Sequence, residues 1–196
     1  MKKLPFLLFI AASIFIILTA PASADTIGFE DVPQSKWNDI GSNYSGVTFT
    51  GAIVLSDQTT PPLDTTYYPP HSGNAVMSES YSPTGDRADI TASFNTPTNE
   101  VSFYYASLSP IWLEAYDASG SPIGEPLEGG IVTGENGFLK FTSSEYNIAY
   151  VIIHDTGGFF TVDDFSFNVP VPEPNTMLLL GFGLIGLWGL RKKFKK

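Results

Sequence analysis

Between residues 25 and 170, apolar and polar positions alternate in short runs, and no apolar stripe recurs at helical spacing. In ADITASF (88–94), Ile90, Ala92 and Phe94 fall on one side of an extended chain. In NEVSFYYAS (99–107), Val101, Phe103 and Tyr105 do the same. In IWLEAYD (111–117), Ile111, Leu113 and Ala115 stand opposite Trp112, Glu114 and Tyr116. VTFTGAIVL (47–55) alternates and then turns uniformly apolar, and GFLKFT (137–142), IAYVIIH (148–154) and FFTVDDFSFN (159–168) complete the series. Each run is short, rich in β-branched and aromatic residues and bounded by turn formers, which predicts strands.

The turns are explicit. DASGSP (117–122), GENG (134–137) and TGG (156–158) offer residues that accept a positive φ. Short strands at regular spacing predict an all-β chain, an antiparallel β-sandwich of the jelly-roll kind over residues 25–170. One stretch breaks the rhythm. SDQTTPPLDTTYYPPHSGN (56–74) has four prolines and no alternation, which predicts a long loop. Tyr67 and Tyr68 on this loop either present their rings to a sugar or pin the loop to the sandwich. Trp112 and Tyr116, on one side of their strand, are a second candidate sugar-facing pair.

The ends differ from this body. MKKLPFLLFIAASIFIILTAPASAD opens with two lysines, continues with an apolar run (4–18) and reaches the small-residue site Ala22-Ser23-Ala24. That pattern predicts a secretory signal peptide over residues 1–24 and a mature chain beginning at Asp25. The chain has no cysteine, so an exported fold must be held by core burial, with a bound metal as the other means.

Charge narrows the partners. Between residues 25 and 170 stand three basic residues, Lys36, Arg87 and Lys140, against 19 acidic ones, a net charge of −16. Such a body repels phosphate backbones, which excludes nucleic acid as a partner, and suits divalent cations. Nucleophilic catalysis finds no support: there is no cysteine, no Gly-x-Ser-x-Gly and no His-Glu-x-x-His. His154 and Asp155 are neighbours on a strand and face opposite ways. With so many carboxylates, a pair at glycosidase spacing is bound to occur and says little. The body is therefore expected to be non-catalytic, with an acidic-site hydrolase as the lesser alternative.

Three short stretches, GFED (28–31), HSGNAV (71–76) and TVDDFSF (161–167), together resemble carbohydrate-binding modules and galactose-binding-like β-sandwiches. The resemblance implies one structural calcium. Its ligands would be Glu30 after the first strand, the neighbourhood of Ser72–Asn74, with Asn74 itself a candidate, and Asp163 of the last strand, with Asp164 beside it. The alternation places Asp163 in phase with Phe165 and Phe167, aimed inward, where a carboxylate needs a cation or strong donors.

VPEPNTMLLLGFGLIGLWGLRKKFKK (171–196) closes the chain. Its apolar run (176–190) would span about 22 Å as a helix, short of the roughly 30 Å hydrocarbon core. Arg191, Lys192 and Lys193 follow it, as the positive-inside rule requires of a cytoplasmic end. Pro172, Glu173 and Pro174 ahead of a Gly-rich apolar helix and a basic end resemble the PEP-CTERM sorting signal. The resemblance implies a transmembrane helix in the inner membrane, recognition by an exosortase (a membrane protease), processing near the motif, and delivery to the cell surface or exopolysaccharide matrix of a Gram-negative bacterium. The expectation is an exported, non-catalytic surface or matrix protein. The alternative is a carbohydrate-binding module for extracellular polysaccharide.

Overall fold

A computed structural model describes residues 23–33, 39–80 and 87–170, and all eleven of its strands pair antiparallel. The strands are β1 (Ser23–Ile27), β2 (Val47–Thr50), β3 (Ala52–Ser56), β4 (Ala75–Glu79), β5 (Ile90–Thr98), β6 (Glu100–Ser107), β7 (Ile111–Tyr116), β8 (Leu127–Gly129), β9 (Val132–Thr142), β10 (Ile148–Asp155) and β11 (Phe160–Val169). The first sheet runs β3-β4-β11-β6-β9, with β1 also on β11; the second runs β2-β5-β10-β7-β8. The described residues form an all-β jelly roll, and its first and last strands lie side by side. Among the described residues no helix is long and apolar enough to cross a membrane. The sorting residues Pro172, Glu173, Pro174, Arg191, Lys192 and Lys193, and nearly all of the leader, lie outside the described residues.

The alternation read from the sequence becomes the core. Ile90, Ala92, Val101, Phe103, Tyr105, Ile111, Leu113 and Ala115 are all buried between the sheets. Phe165 sits in an aromatic cluster, 5.1 Å from Phe49 and 6.2 Å from Phe103 between ring centroids. Burial of this kind contributes roughly 1.5–3 kcal/mol per large apolar side chain.

Two turn expectations are revised. VTFTGAIVL is not one strand, because Gly51 at φ +73° breaks it and sends β2 and β3 into different sheets. A side chain at Gly51 would also overlap the Asp89 carbonyl. GENG is not a hairpin turn but part of β9, where the pairing with β6 slips between Tyr105 and Ser107. Gly134 takes φ +72° there, and its N–H donates to Tyr67 O at 3.1 Å. Turn formers serve an irregular stretch inside a strand as well as they serve a hairpin.

The long loop folds over the outside of the first sheet. Ile53, Leu55, Val76 and Ala106 point away from the main core and pack with Leu63 and Tyr68 of the loop. This second, smaller core explains why β3 and β4 are buried at every position. A shallow apolar pocket of about 220 Å³ lies along it, lined among others by Pro61, Pro62 and Phe159.

Candidate functional site

The predicted calcium residues gather at the turn that leads into β4. β11 is irregular where it passes that turn: its pairing with β6 slips between Asp163 and Ser166, and Asp164 takes φ +47°. The slip changes the phase. Asp163 pairs across from Tyr104 on the outer face, not inward with Phe165 and Phe167 as alternation implied. It is buried all the same, 1% exposed, beneath residues 71–72. Burial pushes its carboxyl up to about 6, against the pull of backbone donors. Ser72 N–H donates to Oδ2 at 2.8 Å and Asp164 N–H to Oδ1 at 2.7 Å. The need for strong donors is thus met by amides.

Asp164 reaches the same turn from outside. His71 Nδ1 lies 2.6 Å from its Oδ2, and Ser72 Oγ donates to its Oδ1 at 2.7 Å. The His71 ring stacks on Tyr104 at 3.4 Å. Glu30 comes from beyond β1; its Oε1 accepts the Asn74 N–H at 3.3 Å. It lies so close to Gly73, at φ +56°, that a side chain there would overlap it. A point above Gly28 is bordered by both Glu30 Oε2 and Asp164 Oδ1. Glu30, Asn74, Asp163 and Asp164 are therefore neighbours in space. Among the described residues no three acidic, histidine or cysteine side chains converge as a ready metal shell. The donors that fit calcium are carboxylate oxygens, Glu30 and Asp164 before the amide-bound Asp163, completed by carbonyls. Ser72, His71 and Asp164 do not form a nucleophile relay, since the hydroxyl bonds the carboxylate and not the imidazole.

The four predicted sugar-facing residues do not share a site. Tyr68 is a correction: it is 7% exposed and packs edge-on against Phe159 at 4.5 Å, so its ring serves the loop's own core. Burial pushes its hydroxyl up to about 12. Tyr67 is exposed, at the edge of the first sheet beside Gly134. Trp112 and Tyr116 lie on the opposite sheet.

There they have company that sequence reasoning missed. On the outer face of the second sheet, β10 places Tyr150 across from Tyr116, Ile152 across from Glu114, and His154 across from Trp112. Tyr116 and Tyr150 stack at 5.0 Å and 7°; Trp112 and His154 stack at 5.6 Å and 17°. Glu114 stands between the two pairs. Tyr116 OH donates to its Oε2, and His154 Nε2 lies 3.5 Å from its Oε1. The bond to Glu114 pushes the Tyr116 hydroxyl up to about 12. Toward β5 the face is paved by Thr91 and Ser93, the partners of Ile152 and Tyr150. The signal was present in IAYVIIH, where Tyr150, Ile152 and His154 alternate with core residues, but which strand lies beside β7 is a long-range fact. The result is a flat aromatic strip with a carboxylate at its centre and small hydroxyl residues along one side. It offers apolar faces and hydrogen-bonding edges together.

Residues 170–193 match the model of the PEP-CTERM protein-sorting motif. No curated protein matches the chain. Among solved structures, the K2 cleaved adhesin domain of Lys-gingipain is similar at 16% identity over 75% of this chain and 100% of that one, with a TM-score of 0.49. CBM29_1, a family 29 carbohydrate binding module from Piromyces equi, is similar at 8% identity over 76% and 91%, with a TM-score of 0.43. TmCBM61, solved with β-1,4-galactotriose, is similar at 12% identity over 65% and 90%, with a TM-score of 0.39.

Proposed function

We propose that this is an exported, non-catalytic component of the cell surface or exopolysaccharide matrix of a Gram-negative bacterium, and that it binds polysaccharide through the outer face of the second sheet. The PEP-CTERM motif implies exosortase-directed export and surface association. In this reading the leader (1–24) and the tail (171–196) are both removed, and residues 25–170 do the work. The observation that carries the binding is the strip Trp112–His154 and Tyr116–Tyr150 with Glu114 between them. Aromatic faces pack on the apolar faces of sugars, while carboxylate, hydroxyl and imidazole groups reach their hydroxyls. The turn holding Glu30, Asn74, Asp163 and Asp164 would bind one structural calcium and stabilise the strand ends without taking part in recognition.

The test is a screen of immobilised polysaccharides and oligosaccharides with the native protein and Trp112→Ala. Saturable binding to at least one glycan, weakened about tenfold or more in the variant at unchanged melting temperature, supports the reading. Binding that ignores Trp112, or none to any glycan, overturns it. Release of shortened sugars from a bound glycan would overturn the non-catalytic part and restore the acidic-site hydrolase.

A further inference from the structure

The charges on this strip narrow the glycan. Trp112 has a carboxylate on two sides. Glu114 follows it on the same face of β7, about 7 Å along the strand. Glu128 of β8 is its cross-strand partner, exposed, at the roughly 4.8 Å spacing of neighbouring strands. Glu114 is held in place, bonded by Tyr116 OH and approached by His154 Nε2, whose ring also backs the indole. Its orientation is therefore set before a ligand arrives, which lowers the entropy cost of using it. Among the described residues no lysine or arginine stands on this face. The basic residues among those described, Arg87 and Lys140, bond Glu79 and Glu100 of the other sheet. A uronate or sulfated polymer would bring negative charge to a body of net charge −16 and to the two glutamates beside Trp112. A positive group is welcome on both counts, and an indole face attracts it as well.

We propose that the strip selects a glycan carrying free amino groups, a glucosamine-type polymer, with Trp112 under the sugar ring and Glu114 and Glu128 receiving its ammonium groups. This rests on the sugar-binding reading of the same face and names its substrate class. Stacking alone does not distinguish an amino sugar from its N-acetylated form; the carboxylates do, because acetylation removes the charge and leaves the ring.

The experiment measures binding of the full chain to four probes at physiological salt: a glucosamine hexasaccharide, the same hexasaccharide fully N-acetylated, a galacturonate oligomer, and polylysine. Expected is a preference of about tenfold or more for the free amine over its acetylated form, with no binding of the galacturonate. In Glu114→Gln combined with Glu128→Gln the ratio of the two glucosamine affinities falls toward one; that ratio, not either affinity alone, is the readout. Trp112→Ala weakens both. Equal affinity for the two forms, or a ratio that survives the double substitution, overturns the proposal while leaving sugar binding intact. Polylysine bound as tightly, and indifferently to Trp112, overturns it in favour of plain charge attraction to basic peptides. Failure of both hexasaccharides, together with failure of every glycan in the wider screen, overturns the underlying sugar-binding reading.

Discussion

Glu79, on β4, is 2% exposed and bonded to Arg87, whose guanidinium lies 4.8 Å from the Phe159 ring centroid. Burial outweighs the arginine and pushes its carboxyl up to about 7 from 4.5. The native state therefore holds this proton where the unfolded chain has released it. The stability it contributes is full below pH 4.5 and is lost as pH rises toward 7, at up to about 1.4 kcal/mol per pH unit. Moving from pH 8 to pH 5.5 should stabilise the domain by about 2 kcal/mol through Glu79 alone, or roughly 4–8 °C in melting temperature, and Asp163, whose carboxyl is pushed up to about 6, adds in the same direction. Relief of the body's self-repulsion acts in the same direction, so the comparison is with Glu79→Gln, in which the difference should shrink. An undiminished pH dependence in that variant would refute the assignment to Glu79. Nothing in AVMSE marks this glutamate as buried, because its burial and its bond to Arg87 are set by tertiary packing and not by the pattern of the strand itself. Asp163 shows the same limit more finely. The alternation around it aimed it into the core, and it is buried on the opposite side of the strand instead. One slipped residue in β11 moved it from the core face to the underside of the turn.

At the level of elements, alternation of apolar residues was enough to identify β2, β5, β6, β7, β10 and β11, because a half-buried strand must alternate, but it gave no sign of β8 and cannot mark β4, which is buried at every position. It failed where glycine acted for reasons other than a turn. Gly51 carries φ +73° and lies against the Asp89 carbonyl, so Gly51→Ala meets both a backbone penalty and an overlap with rigid backbone. Gly41 also has a positive φ, at +54°, but has nothing within 4 Å of a would-be side chain. Denaturant unfolding should show Gly41→Ala losing about 1 kcal/mol and Gly51→Ala losing about 2–4 kcal/mol. Equal losses would mean that the sheet crossing tolerates a side chain. The loop divides in a similar way. Tyr68→Ala removes a buried ring from the small second core and should cost about 2–4 kcal/mol, whereas Tyr67→Ala, at a ring 51% exposed, should stay within about 0.5 kcal/mol. Two adjacent tyrosines in a proline-rich run carry no signal of which one faces inward. That was decided by the spacing between the loop and Phe159.

Across the whole molecule, strand order made the difference between candidate residues and a candidate site. Trp112 and Tyr116 were legible as one face of a strand; Tyr150 and His154 joined them only because β10 lies beside β7. Glu30 and Asp163 converge in the same manner, because β1 lies on β11. The molecule's charge then supplies a test of the calcium turn that simple screening cannot imitate. With an excess of sixteen negative charges over residues 25–170, any salt should raise the melting temperature as it shortens the Debye length from about 30 Å at 0.01 M to about 10 Å at 0.1 M. Sodium and calcium chlorides at equal ionic strength therefore separate two causes. A specific ion adds RT ln(1 + [L]/Kd), about 2.7 kcal/mol at a hundredfold excess over Kd, on top of the common screening effect. The expected outcome is a larger rise with calcium than with sodium, and the surplus should vanish in Glu30→Gln combined with Asp164→Asn while the sodium response remains. Asp163 is left untouched in that variant because its amide bonds hold the turn whether or not an ion is present. Identical curves for the two salts would mean that the three carboxylates are satisfied by amides, His71, the Ser72 hydroxyl and water, with no ion.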